Sequence, residues 1–203
     1  MSMYWTPLEI EDCDANPFTQ LRSWFHDAEG VMHERDAVSV ATSTRDGRPS
    51  TRMVLLRHVD DHSVGWYTNY ASRKGRELEV NPFASILWYC EPLGRQIRIE
   101  GTVAKMSDAE SDAYFATRAR GSQLGAHASS QSHVIASRDE LEKRVREYAI
   151  EFAGRVVPRP MFWGGYRLTP NRFEFWQHRE NRLHDRIVYL RVDDDWTLQR
   201  QAP

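Results

Sequence analysis

Short stretches of strand periodicity recur along most of this chain, each closed within a few residues by a turn signal, and that pattern confines it to antiparallel β architecture. In Phe173-Glu174-Phe175-Trp176-Gln177, two phenylalanines point one way while Glu174 and Trp176 point the other. This is the period of a strand with one apolar and one mixed face. Residues 177–181 leave room for a loop before a further strand at 187–192, and 196–200 reads as its partner. Upstream, Asp46-Gly47 is a hairpin turn between strands at 37–43 and 49–58, with residues 53–56 expected as a buried apolar centre. Further strands are expected at 63–68 and 165–169. Residues 83–90 and 96–105 form a second hairpin over Glu91-Pro92-Leu93-Gly94.

Helices fall between these strands. Asn16-Pro17 reads as an N-cap followed by the first helical position, and Phe18, Leu21, Trp24, Phe25 and Ala28 follow at helical spacing. A helix over 72–80 ends at Asn81-Pro82, because proline disfavours helix in the residue before it. Ser107 with Glu110, and Ser137 with Glu140, have the spacing of capping boxes, and residues 121–127 suit a short helix. The expected fold is therefore mostly β, a barrel with helices packed outside. Residues 1–15 are expected to be a flexible arm and 16–203 a single domain.

At 203 residues the chain can bury a sizeable core. A net charge of −2 provides no field for nucleic acid or an acidic membrane. Among the Lys and Arg residues, Lys74, Lys105 and Lys143 are the lysines, so a single arginine carries weight only through its neighbours. Cys13 and Cys90 lack metal-ligand or disulfide-framework spacing, and no metal site is expected. No apolar run is long enough to span a bilayer and residues 1–14 show no signal-peptide pattern, so the expected compartment is the cytoplasm.

Three segments carry chemistry. Arg182 and His184 are two apart, so in extended chain they share a side and suit an anionic or electron-rich ligand, with Trp176 as a flat wall. The same hairpin would also serve with its charges merely solvated. Ser72-Arg73-Lys74 opens a helix with two cations at its positive dipole end, an arrangement that disfavours the helix unless an anion compensates. Tyr114, Arg118 and Ser122 stand four apart, which on one helix stacks phenol, guanidinium and hydroxyl on a single face. Such a trio can cradle a phosphate monoester or lie in solvent.

Glu174-Phe-Trp-Gln177 followed by Arg182-Leu-His-Asp-Arg186 resembles the signature of the pyridoxamine 5′-phosphate oxidase family, and the likeness runs from about residue 37 to 203. The resemblance implies an FMN-binding split β-barrel in a homodimer, with two active sites at the subunit interface. It implies FMN contacts at Arg52, Met53, Val54, Leu55, Tyr67, Thr68, Ser72, Arg73, Lys74, Gln96, Gln131, Ser132, Trp176 and Arg186. Arg57, Tyr114, Arg118 and Ser122 would hold the substrate phosphate, while Arg182 and His184 would bind substrate and act catalytically. Two departures stand out. Arg57 occupies a position where the family commonly has lysine, and a planar fork grips phosphate differently from an ammonium. Residues 1–15 contain no equivalent of the Arg and Tyr with which some relatives cover the substrate.

The implied activity is oxidation of pyridoxine or pyridoxamine 5′-phosphate to pyridoxal 5′-phosphate, with O₂ as acceptor and hydrogen peroxide released. A related oxidase of secondary metabolism, acting on a reduced aromatic ring as phenazine-pathway enzymes do, is the alternative. A flavin-storage protein is a third reading, disfavoured by the intact Arg182-Leu-His184 segment.

Overall fold

The turn residues divide the chain where the sequence places them. In a computed structural model describing residues 6–203, the strands are β1 (Ala37–Ser43), β2 (Pro49–Leu55), β3 (His58–Val59), β4 (Val64–Asn69), β5 (Phe83–Cys90), β6 (Arg95–Lys105), β7 (Trp163–Gln177), β8 (Asp185–Val192) and β9 (Asp195–Arg200). Gly47 and Gly94 both take positive φ at the β1–β2 and β5–β6 connections, a conformation open to glycine without strain. All pairings are antiparallel, in the order β2-β1-β5-β6-β7-β4-β3, with β8 on β7 and β9 on β8.

β7 is the spine. Residues 165–169 and 172–177, expected as two strands, are one continuous strand that pairs with β6 along its length. Its first half also pairs with β4 and its second half with β8. The change of partner occurs at Pro170, which has no N–H to give to a ladder, and the register slips there between Glu100 and Gly101. A Cβ on Gly101 would meet the Thr169 carbonyl oxygen at 2.2 Å, so only glycine permits this approach.

The helices are α1 (Pro17–Asp27), α2 (Arg73–Val80), α3 (Asp108–Thr117), α4 (Arg120–Ala128) and α5 (Arg138–Glu151). Asn16 caps α1 by accepting from the Phe18 amide, and Ser107 with Glu110 forms a reciprocal capping box on α3. α1 packs against β7 and β5. Phe18 meets Phe173 edge-on at 5.2 Å, Trp24 meets Phe175 at 5.1 Å, and Phe25 lies against Trp88. Burying Phe18 contributes about 2–3 kcal/mol at its apolar area. A second cluster, with Phe115, Leu124, Phe152, Val157 and Trp163, joins α3–α5 to the start of β7. No helix among the described residues is long and apolar enough to cross a membrane.

Two expectations change. Residues 53–56 are not a buried centre: Met53 is 64% exposed, Leu55 is 38% exposed, and only Leu56, beyond the end of β2, is buried. β2 is an edge strand with β1 as its sheet partner, and its alternate residues stay exposed instead of entering the core. The expected flexible arm is docked from Leu8 onward, while its first five residues lie outside those described. Leu8 is buried, its amide donates to Asp185 at 3.1 Å, and the Asp14 carbonyl accepts from the Tyr189 hydroxyl at 2.7 Å.

Candidate active site

β2, the end of β4, the start of α2 and the α3–α4 corner surround a cavity of about 610 Å³. Its wall includes Met53, Val54, Leu55, Arg57, Tyr67, Thr68, Lys74, Tyr114, Arg118, Ser122 and Gln131, eleven of the residues singled out from the sequence, drawn from six separate segments.

Lys74 is the least ordinary of them. Only 6% exposed, it donates to Thr68 Oγ1 at 2.6 Å, Gln131 Oε1 at 3.0 Å and Ser72 Oγ at 3.3 Å. These are neutral acceptors, and no carboxylate among the described residues forms an ion pair with it. Burial, with Arg52 adding repulsion, lowers its pKa from the ordinary 10.5 to about 8. Gly75 lets α2 begin in this position, since a Cβ there would meet the Tyr70 carbonyl oxygen at 1.9 Å. Ser72 is buried as the N-cap of α2 and accepts from the Gly75 amide. A buried ammonium beside a helix N-terminus, with only neutral partners, fits an anion in the cavity.

Arg52, Ser72, Arg73 and Ser132 do not line this cavity. Arg52 and Arg73 instead converge on Glu77, at 3.5 Å and 2.8 Å. Ser132 is exposed and takes a positive φ immediately after Gln131.

The trio Tyr114, Arg118 and Ser122 shares the cavity, although not on one helical face. α3 ends at Thr117 and Arg118 has extended backbone (ψ 145°), so Tyr114 comes from α3 and Ser122 from α4. The corner between the helices brings them together. Tyr114 stacks on Tyr67 at 3.8 Å, and the Arg118 guanidinium lies 4.6 Å over the Trp163 ring. Arg118 Nη1 is buried without a hydrogen-bond partner among the described residues, a costly state that an anionic oxygen would relieve. Burial pulls the Arg118 pKa below its ordinary value. Arg57, on the cavity rim, is ion-paired to Asp36.

The remaining predicted residues form a second patch. Register places Gln96, Trp176 and Arg186 in one cross-strand row over β6, β7 and β8. Arg186 is tied to the wholly buried Glu174, at 2.9 and 3.1 Å, and Arg172 joins the same carboxylate at 2.9 Å. Burial would raise the Glu174 pKa, but these arginines outweigh it and hold it low. Trp176, Arg182 and His184 border one hollow. They do so through a tight turn rather than extended chain: Asn181 and Arg182 take φ values of 56° and 61°. Left-handed backbone at two non-glycine residues is strain of the kind that collects at functional sites. His184 lies tilted against Trp176 with ring centroids 4.5 Å apart, and its Nδ1 accepts from the Arg179 amide, which leaves the proton of the neutral ring on Nε2. Burial, then the neighbouring His178 and Arg182, lower its pKa.

Sequence reasoning passed over Trp163, Asp36 and Glu77. Glu77 stands four residues after Arg73, a helical ion-pair spacing that could have flagged it. The contacts of Trp163 and Asp36 join distant segments and leave no local sign.

Comparison with known proteins places the chain in a family. The family profile described as pyridoxamine 5′-phosphate oxidase matches residues 26–150, and that of the pyridoxine 5′-phosphate oxidase C-terminal dimerisation region matches 163–203. The pyridoxine/pyridoxamine 5′-phosphate oxidase of Rubrobacter xylanophilus is 52% identical over 197 residues, 97% of this chain and 91% of the relative. That of Paraburkholderia phytofirmans is 49% identical, covering 97% and 93%. Among solved structures, PhzG from Burkholderia lata, in complex with tetrahydrophenazine-1-carboxylic acid, superposes with a TM-score of 0.90 at 34% identity, covering 95% of each chain. An FMN-binding protein from Nostoc punctiforme shares the fold at TM-score 0.72 and 17% identity. The chain is thus a homodimeric split barrel and an oxidoreductase, and it belongs to the pyridoxamine 5′-phosphate oxidase family.

Proposed function

We propose that this protein is an FMN-dependent oxidase that converts pyridoxine or pyridoxamine 5′-phosphate to pyridoxal 5′-phosphate in the cytoplasm. The observation that carries the substrate class is Arg118, which lines the same cavity as Tyr114 and Ser122 and whose buried Nη1 has no hydrogen-bond partner among the described residues. Three donors without a carboxylate among them suit a phosphate monoester. The neutral surroundings of Lys74 support a second anion at the start of α2, the phosphate of FMN.

The second patch belongs, on this reading, to the other half of the site. Gln96, Trp176, Arg182, His184 and Arg186 of one protomer close over the cavity of its partner, so that two sites are built from two chains. The exposed Met53 and Leu55 on β2, and Leu87 and Tyr89 on β5, give the contact its apolar surface.

FMN, when bound, would supply the hydride acceptor, with O₂ as final oxidant and hydrogen peroxide as its product. The chain supplies position and hydrogen bonds. Tyr114, Arg118, Ser122 and Arg57 would hold the phosphate, and Arg182 would orient the pyridine ring. With Nδ1 engaged by the Arg179 amide, neutral His184 holds its proton on Nε2 and would donate it as a hydrogen bond to the bound substrate, orienting the ring beside Arg182.

A second reading takes its support from the likeness to PhzG: oxidation of a reduced phenazine-type ring. The higher identity to the vitamin oxidases and the phosphate-suited trio favour the first. The test is to record the flavin absorbance without oxygen and add pyridoxamine 5′-phosphate. Bleaching of the band supports the proposed function. An unchanged spectrum refutes it, and bleaching only by a reduced tricyclic acid would establish the alternative.

A further inference from the structure

Glu77 lies on α2, almost wholly buried, yet its carboxylate does not reach the cavity. Its partners come from three elements. Oε2 accepts from Thr42 Oγ1 on β1 and from Ser50 Oγ on β2, both at 2.5 Å, and Oε1 accepts from Arg73 Nε at 2.8 Å. The same two hydroxyls accept from Arg52: Nη1 reaches Thr42 Oγ1 at 2.6 Å, and Nη2 reaches Ser50 Oγ. Guanidinium and carboxylate therefore clasp two hydroxyls between them in a closed ring. Each hydroxyl gives its proton to Glu77 and its lone pairs to Arg52.

That ring fixes direction. Arg52 is anchored through its two Nη groups, which sets the plane of its fork, and Arg73 is gripped by Nε alone. Among the described residues no hydrogen bond or ion pair takes up the Arg73 Nη groups, and Arg73 precedes Lys74 in the first turn of α2. Three cations and one carboxylate leave this corner with two positive charges, the complement of a phosphate dianion. Burial by itself would raise the Glu77 pKa, but the hydroxyls of Ser50 and Thr42 and the Arg73 guanidinium overcome it and lower it to about 2. The carboxylate is charged at every working pH.

We infer that Glu77 is a positioning residue for the cofactor phosphate, acting through Arg52 and Arg73 to aim them at an anion seated at the start of α2. This rests on the reading of the cavity as the FMN site.

The sign of the effect separates positioning from simple charge. Removing a carboxylate from a phosphate site raises the positive field and should tighten anion binding. Loosening the two arginines should weaken it. Fluorescence titration of the apo-protein with FMN and with riboflavin, which has no phosphate, reads the difference directly. In Glu77→Gln, FMN affinity is expected to fall by about tenfold or more while riboflavin affinity stays within about twofold. Ser50→Ala, which opens one side of the ring and keeps the carboxylate, should shift the FMN-to-riboflavin ratio in the same direction by less, and it serves if the glutamine variant does not fold. FMN affinity that is unchanged or tighter in both variants overturns the inference. So does an equal loss for FMN and riboflavin, which would mark Glu77 as a structural residue. Wild-type protein that binds FMN no better than riboflavin would instead overturn the cofactor reading itself.

Discussion

Replacing Lys74 with methionine should stabilise the apo-protein and weaken its hold on FMN. The folded chain keeps this ammonium among Thr68, Ser72 and Gln131 at a pKa of about 8 rather than 10.5. That depression corresponds to roughly 3 kcal/mol of penalty on the charged form, at 1.36 kcal/mol for each pH unit. At pH 7 the amine is protonated in both the folded and unfolded chains, so the folded apo-protein bears the whole penalty. Between about 8 and 10.5 the folded amine is neutral while the unfolded one still holds its proton, and apo-protein stability rises with pH across that window. Methionine has similar length and no charge to desolvate. Thr68 still donates to Gln131 at 3.1 Å, so the acceptors left behind retain one bond. Allowing about 1–2 kcal/mol for the hydrogen bonds lost, the net gain is about 1–2 kcal/mol, or some 2–8 °C in Tm. The same change removes a charge-assisted contact to phosphate and should weaken FMN binding by about tenfold to a hundredfold. Thermal unfolding of flavin-free protein and FMN titration check the two halves. A variant that loses stability and still binds FMN as well as the wild type would refute the reasoning, because Lys74 would then be a structural residue with no anion to meet.

Other outcomes follow from the same geometry. FMN binding at pH 8.5 should be accompanied by proton uptake, since an anion restores the Lys74 charge; calorimetry in buffers of different ionisation enthalpy measures it, and no buffer dependence would count against the contact. Arg118→Leu should raise KM for the phosphorylated substrate by about tenfold or more while FMN titrates as in the wild type. The acid limb of the kcat/KM profile should lie below the ordinary imidazole value, because burial, His178 and Arg182 hold His184 unprotonated; Arg182→Leu removes one like charge and should move that limb upward, with lower turnover and the flavin still bound. Asp36→Asn frees Arg57 from its ion pair and should lower KM for a phosphate-bearing substrate if Arg57 meets that phosphate; an unchanged KM would remove Arg57 from the site.

The local order of this chain is legible in its sequence, because caps, turns and alternation act over a few residues. Asn16-Pro17, Ser107 with Glu110, Asp46-Gly47 and the alternation from Phe173 to Gln177 fix where elements begin, end and face. The motif residues also name most of the cavity wall. What they could not convey is how separate segments meet. Tyr114, Arg118 and Ser122 looked like one helical face and are gathered instead by a corner between two helices. Residues 53–56 read as a buried centre because they are apolar, whereas β2 lies at the edge of the sheet and leaves Met53 and Leu55 exposed. Arg182 and His184 share a hollow through a left-handed turn that their spacing does not encode. Glu77 acquires its weight only when β1 and β2 carry Thr42, Ser50 and Arg52 to it across 25 to 35 residues of chain. Short-range hydrogen bonding is written residue by residue, but burial and charge pairing depend on which distant segments the fold sets side by side, and that was decided by the tertiary structure alone.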